Sequence, residues 1–471
     1  MSSKVNSAKA ATPLMPLGAL AAGVGLSLLS SAAMAQSAVP EATAGQTLPP
    51  VTVKDKADPR PDAKEDYRTF TTTIGKGNQA VRDIPQSMTV HTERLMDDRN
   101  LDDFRDVLRA TSGVTFQAGE TGEEDVRLRG FSLFQAGDIY VDGLRDPALQ
   151  ERDTFNLDRI EVLKGSASML FGRGSTGGVV NQVSKQPFLL TQHEVEATVG
   201  SGKDYRLTGD FNIKTGESSA FRINAVVHDA DKWGAKVDKK GIAPTYRFGI
   251  GEKNEFSVGL YHLEFDNRPL YNHPWVLSAD NKIQETLPAK NYYGLASDYN
   301  EGSATYGTVS HIHRFGGNRE LKTVVRHGRY ERDLWASVIR GVGIPNGTTS
   351  AAVYDNPNRG LSRTGKGRVG ETDVTYVGST YTGAVNQGSI KHNLTLGAEW
   401  MQEDAKRNNN IAGGARPSTT VGTPDDGASI VDTRDIRLNA FDAKTCSLYG
   451  QDTIDLTPTL IALVGLRYDH F

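Results

Sequence analysis

Two histidines, a glycine signature and one cysteine are the places where this chain could do chemistry. His311 and His313 alternate, so on a strand their rings share one face, as a metal pair would require. No carboxylate or third ligand lies nearby in sequence, and the pair reads instead as polar residues facing a wet interior. Gly172, Gly174 and Gly177 spell G-x-G-x-x-G, and Glu196 follows roughly 20 residues on, as in a dinucleotide site. That chemistry needs a helix directly after the glycines. Here Val179–Pro187 alternates like a strand, so no helix N-terminus is available for a pyrophosphate. The glycines read as turns and points of close backbone approach. Cys446 is the single cysteine, which excludes an intrachain disulfide framework and a multi-thiolate metal site. No nucleophile, base and acid group together, so the expected protein is not an enzyme and holds no metal or cofactor of its own.

The elements that position these residues follow from composition and pattern. The chain has 471 residues, 37% of them apolar, with 49 Gly and a formal net charge of −4. After the first thirty residues no apolar run approaches ~18 residues, so a polytopic helical membrane protein is excluded. The mild acidity and the lack of a basic block argue against nucleic acid as a partner. Residues 1–35 read as a secretory signal, with Lys4 and Lys9, an apolar stretch from Leu14 to Leu29, and Ala33-Met34-Ala35 as the cleavage site. Residues 36–65 are rich in Pro, Ala, Asp and Lys and are expected to be a flexible tether. Within it, Thr47, Leu48, Pro49, Pro50, Val51, Thr52 and Val53 form a β-prone island that could add to a partner's sheet edge.

From 66 to 187 the texture is short strands, glycine turns and a helix. Asp97–Ala110 places Leu101, Phe104, Val107 and Leu108 on one face, and Gly113 is a plausible stop. Strands are expected at Val126–Phe131, Asp138–Gly143 and Arg159–Gly165. From 188 to 471 alternation recurs, for example at Tyr205, Leu207, Gly209, Phe211 and Ile213, and again at Phe221, Ile223, Ala225 and Val227. About eleven strands of this kind, each with one apolar and one polar face, are the pattern of a membrane barrel. Tight turns are expected at 215–218, 251–254, 316–319, 386–388 and 456–458, and long excursions at 229–242, 266–303, 334–370 and 403–443. Short turns at one end and long loops at the other distinguish such a barrel from a soluble sandwich.

Four blocks in one order carry a resemblance: Ile84–Met88, Leu128-Arg129-Gly130-Phe131, Tyr140-Val141-Asp142-Gly143, and the run from Asp158 through the 172–177 glycines to Pro187. They resemble the plug of TonB-dependent outer-membrane siderophore receptors, most closely the catecholate branch. The resemblance implies an α+β plug domain (66–187) inside an antiparallel transmembrane β-barrel of 22 strands, of which 188–471 supplies about the first half. It implies that 47–53 is the TonB box, and that the chain is the N-terminal part of a longer, monomeric receptor. It further implies the bacterial outer membrane as location, and as partners a ferric siderophore, outer-membrane lipid, and TonB with its inner-membrane energising complex. The siderophore itself carries the iron. Other cargo in the same class (hydroxamate siderophore, haem, cobalamin) and a passive porin are the alternatives. Asp355–Arg359 is similar to one short haem-receptor element, but its usual partner element is missing.

A ferric tris-catecholate is a trianion with aromatic faces, so its site should offer cations, amide donors and rings. In the resembled fold the outward plug loops meet the ligand. The candidates there are Arg145 and Arg152, then Gln150, Gln117, Gln135 and Phe134. Tyr271, His273, Trp275, Tyr292, Tyr293 and Trp335 would complete a lid. Arg129 and Lys164 stand where the family carries two plug cations that pair with barrel carboxylates, partners expected beyond Phe471.

Overall fold

A computed structural model describes residues 62–116, 126–133, 138–147, 150–174, 176–269, 273–408, 413–457 and 459–471. The leader at 1–35, the island at 47–53, Gln117, Phe134, Gln135 and Tyr271 lie outside the described residues.

An inner domain is built on a five-stranded sheet: β1 (Ser87–Thr92), β2 (Ile139–Val141), β3 (Leu144–Arg145), β4 (Leu157–Lys164) and β5 (Gly178–Ser184). The spatial order is β1-β4-β5-β2-β3, with β5 and β2 parallel and the other pairs antiparallel. Two helices cover one face, α1 (Glu93–Asp98) and α2 (Phe104–Arg109). Met96, Phe104, Val107 and Leu108 from the helices pack on Ile139, Leu157, Ile160, Val162 and Val180 from the sheet. Burying a side chain of this size contributes about 1.5–3 kcal/mol before entropy is counted.

The single helix expected over 97–110 is therefore two. Thr92 caps the first through Leu95 N, Asn100 takes a left-handed φ of 48°, and Asp103 caps the second through Asp106 N at 2.8 Å. Two Asx/Thr caps in twelve residues outcompete continuous helix, yet the apolar face is the one the spacing indicated. Val126–Phe131 likewise is not one strand. Leu128 pairs with Phe131 across a turn in which Arg129 and Gly130 have φ of 52° and 88°, the geometry of a two-residue hairpin.

Around the inner domain runs a wall of eleven antiparallel strands, each beside its sequence neighbours: β6 (Gln192–Gly200), β7 (Asp204–Gly216), β8 (Ser219–Lys232), β9 (Ala235–Phe248), β10 (Asn254–Asn267), β11 (Tyr299–Gly316), β12 (Arg319–Gly341), β13 (Gly360–Gln387), β14 (Ile390–Asn408), β15 (Asn439–Thr457) and β16 (Leu460–His470). Alternation sorts the faces. On β8, Arg222, Asn224 and His228 are buried toward the inner domain, while Val227 is half-exposed on the outer face. Val195, Leu207, Val258, Val309 and Leu396 line the same outer apolar surface.

Two loop expectations need correction. Residues 229–242 are not an excursion: β8 and β9 run through them to a two-residue turn at Trp233-Gly234, with φ of 54° and 98°. The excursion at 334–370 shrinks to 342–359, because β12 and β13 stay paired out to Gly341 and Leu361. His311 and His313 also differ from expectation. Arg314 turns inward to Glu255 (2.8 Å), so the period of two sends both histidines outward. There His311 stacks on Phe256 (4.4 Å), His313 meets Phe315 edge-on (4.7 Å), and the two share the Asn254 Oδ1 as hydrogen-bond partner. Amphipathic rings close to the turns are the usual furnishing of a membrane interface.

The long connections form one cap at the opposite end. Val276, Leu287 and Tyr293 pack with Ile339, Tyr354 and Leu361. Three arginines pin it, through Arg363–Asp426 (2.8 Å), Arg416–Asp298 (3.0 Å) and Arg434–Asp333 (2.7 Å). Arg416 and Arg434 both lie over the Trp335 ring. Tyr292, Tyr293 and Trp335 are thus core residues of the cap rather than its lining, and Trp275 is half-exposed.

Candidate functional site

The β2–β3 hairpin turns at Asp142-Gly143, whose left-handed φ values (55° and 78°) allow a two-residue connection. That turn delivers Arg145 to a recess between the inner domain and the wall. Its Nη2 donates to the Arg173 carbonyl at 2.9 Å, and its guanidinium lies over the Tyr140 ring. A short helix, α3 (Ser168–Phe171), sets Phe171 edge-on to Tyr140 at 4.6 Å. Gly172 then takes a φ of 80°, and Arg173 stands over the Phe471 ring at 5.2 Å.

Two further cations complete the recess. Lys76 Nζ donates to the Gly143 carbonyl (2.8 Å), pairs with Glu399 of β14 (3.2 Å) and lies 5.2 Å from the Phe171 ring. Arg467 of β16 pairs with Glu399 (3.3 Å) and Asp469 (2.8 Å) and donates to the Leu170 carbonyl. Four cations thus face two carboxylates among four aromatic rings (Tyr140, Phe171, Tyr376, Phe471), around a cavity of about 50 Å³. That volume suits a water or two; a bulkier anion would rest on its rim, against rings and cations together. Arg145 was singled out from sequence. Lys76, Arg173 and Arg467 were not, because they come from segments up to several hundred residues apart and carry no shared local signal.

The other expected ligand residues are placed differently. Arg152 is buried, with Nη2 and Nε on Asp146 Oδ2 at 2.6 and 2.8 Å, and Gln150 Nε2 donates to the same oxygen. Asp146 stands six positions before Arg152, so this trio closes the 146–152 loop on itself instead of presenting it. Arg129 is exposed in its hairpin turn, and Lys164 donates to Ser112 Oγ at 3.3 Å. Among the described residues, no wall carboxylate lies within ion-pair distance of either.

What fastens the inner domain to the wall is a different set of polar pairs. Asp153 takes Arg206 of β7 two-pronged, at 2.7 and 2.9 Å. Glu151 meets Lys239 of β9 (3.2 Å) and accepts from Asn267 and Asn300. Asp142 meets Arg326 of β12 at 2.9 Å. Burial works against ionising Glu151 and Asp153, but Lys239 beside the first and Arg206 beside the second hold both carboxyls below the usual range. A smaller apolar contact joins them, Val141 and Phe155 against Tyr261, Leu263 and Tyr306.

Residues 80–179 match the family described as the TonB-dependent receptor plug domain, and residues 245–471 match the TonB-dependent receptor-like β-barrel. The chain is 30% identical to the probable TonB-dependent receptor BfrD of Bordetella pertussis, over 96% of this chain and 61% of the relative. It is 27% identical to the catecholate siderophore receptor Fiu of Escherichia coli K12, over 84% and 54%. The crystal structure of that Fiu protein, a ferric-catecholate import receptor in its closed form, superposes with a TM-score of 0.76 at 25% identity, over 86% of this chain and 58% of the other. The chain thus spans between half and two thirds of the length of these relatives.

Proposed function

The chain belongs to the TonB-dependent receptor family, and we propose that it serves in energy-coupled import of a ferric siderophore, catecholate in kind, across the bacterial outer membrane. The recess around Arg145 carries this reading. It offers an excess of positive charge and several rings to one ligand, which matches a trianion with aromatic faces and suits a neutral or cationic iron complex poorly. The Fiu relative, named as a catecholate siderophore receptor, points the same way.

The manner of closure fits transport. An inner domain held by an extensive apolar seam would be permanent, whereas ion pairs and amide contacts, though buried here, can be exchanged for water one by one as the inner domain moves. Capture at nanomolar affinity corresponds to about 12 kcal/mol. With association near ~10⁶ M⁻¹s⁻¹, unaided release would take on the order of minutes. Work delivered through residues 47–53 by TonB would supply the missing release step, and the outer apolar face would meet lipid.

The test is growth under iron starvation on single ferric siderophores, with and without deletion of residues 47–53. Growth on a ferric catecholate should require the segment, while binding at the cell surface should not. Uptake that survives the deletion would point to a passive pore, and growth confined to hydroxamate, haem or cobalamin would reassign the cargo.

A further inference from the structure

The segment that links the arm to the inner sheet is fastened at three successive points. Lys64 Nζ bridges Glu93 at the start of α1 (2.9 Å) and, on the wall, Glu194 (2.5 Å) and Asp210 (3.5 Å). Thr72 Oγ1 then donates to the buried Glu161 carboxylate at 2.8 Å. Lys76 comes next, in a tight turn with a left-handed φ of 69°, and its ammonium reaches into the recess. Of the described residues that line the recess, Lys76 is the one that precedes β1 in the chain.

We propose that Lys76 couples the arm to the ligand recess: it is a cation of the recess carried on the stretch that traction would withdraw, so pulling strips positive charge from the site and lowers its hold on an anionic ligand. This rests on the functional reading above and specifies how that site is regulated. The order follows from connectivity. Tension applied upstream loads Lys64 first, then Thr72, then Lys76, since each restrains the chain beyond it. When Lys76 leaves, Glu399 keeps Arg467 as its partner. The recess then passes from four cations against two carboxylates to three against two. A trianion at the rim feels that loss strongly and a neutral complex does not.

Two measurements on the protein as the cell makes it decide the matter. The first compares binding of iron(III) tris-catecholate, a trianion, with iron(III) tris(acetohydroxamate), which is neutral. Lys76→Met should weaken the trianion about tenfold and leave the neutral complex within about twofold, and Lys76→Arg should restore the trianion. Equal loss for both complexes, or no loss, overturns the proposal.

The second holds the segment in place. A Cβ on Gly77 would stand 3.4 Å from the Thr382 Cβ of β13, close to the ~3.5–4.5 Å that disulfides span. Gly77→Cys with Thr382→Cys, in a Cys446→Ser background because Cys446 is exposed, should bind tris-catecholate equally well oxidised or reduced. Oxidised, it should import less than about a tenth as much, with recovery on reduction. Import by the oxidised form at the reduced rate overturns the proposal. Failure of the unaltered protein to bind or import either complex overturns the functional reading itself, and this coupling with it.

Discussion

Arg206 on the second wall strand and Asp153 on the inner domain face each other fork to fork, 2.7 and 2.9 Å apart, with almost no solvent on either side chain. Asp102 approaches the same guanidinium at 3.1 Å. Removing one partner from such a pair strands a buried charge, at a cost of about 3–5 kcal/mol. Asp153→Ala should therefore loosen the inner domain, read as faster proteolysis of residues 62–187 in the detergent-solubilised protein. Asp153→Leu combined with Arg206→Met should be markedly milder. Equal damage from the single and double variants would show that the pair is not the fastening.

Arg145 and Arg152 are predicted to part company. Arg145→Ala should weaken binding of a ferric tris-catecholate about tenfold with little change in unfolding midpoint. Arg152→Ala leaves the buried Asp146 carboxylate without its cation and with only the Gln150 amide on the same oxygen, so it should lower stability by about 2–4 kcal/mol and reach the ligand only through the loop. Titration calorimetry paired with denaturant melts separates the two effects.

His91 makes the inner domain acid-sensitive. It is buried, shares a 2.7 Å hydrogen bond with Thr111, and its Nδ1 has no partner among the described residues. Burial, with Arg99 and Lys164 nearby, pushes its pKa down from 6.5 to about 4. The unfolded chain takes up the proton near pH 6.5 and the folded one does not, so stability is full above that pH and falls as pH drops toward 4, by on the order of 3 kcal/mol. Asp153, whose carboxyl is depressed, adds a second loss that begins only below the ordinary carboxylate range. His91→Gln should flatten the pH 7 to pH 4.5 difference in denaturant midpoint, and an unchanged slope would refute the assignment.

Gly178 and Gly388 separate steric need from mere turn preference. A Cβ at Gly178 (φ 134°) would lie 2.0 Å from the Leu163 carbonyl, where β5 pairs with β4. At Gly388 (φ 62°) it would meet open space. Gly178→Ala should cost more than ~3 kcal/mol and abolish refolding into detergent, whereas Gly388→Ala should cost about 1 kcal/mol and refold. Comparable refolded yields would contradict the close approach.

The G-x-G-x-x-G string shows how far local reasoning reaches. Strand pattern after the glycines was enough to reject a nucleotide site, and β5 occupies that stretch. The positive φ of Gly172 and Gly174 agrees with turns. For His311 and His313 the shared face was legible, but whether it looked inward or outward was not, because period two assigns two faces without naming them. The split helix and the 229–242 hairpin were missed where caps and cross-strand pairing outweighed hydrophobic spacing. Arg145 was legible as a loop cation. The recess around it was not, since Lys76, Arg173, Glu399 and Arg467 meet only once the wall has closed on the inner domain.

Alternation, turn chemistry and motif order depend on neighbours within about ten residues, so the linear chain by itself determined the strand count of the wall, the apolar outer face, the helical face at Phe104–Leu108 and the family. Which charges meet depends on where distant strands bring them. Arg152 turned inward, Arg206 took Asp153, and Lys76 reached Glu399 because desolvated charges must find partners in three dimensions, and tertiary packing alone decides which partners stand within reach.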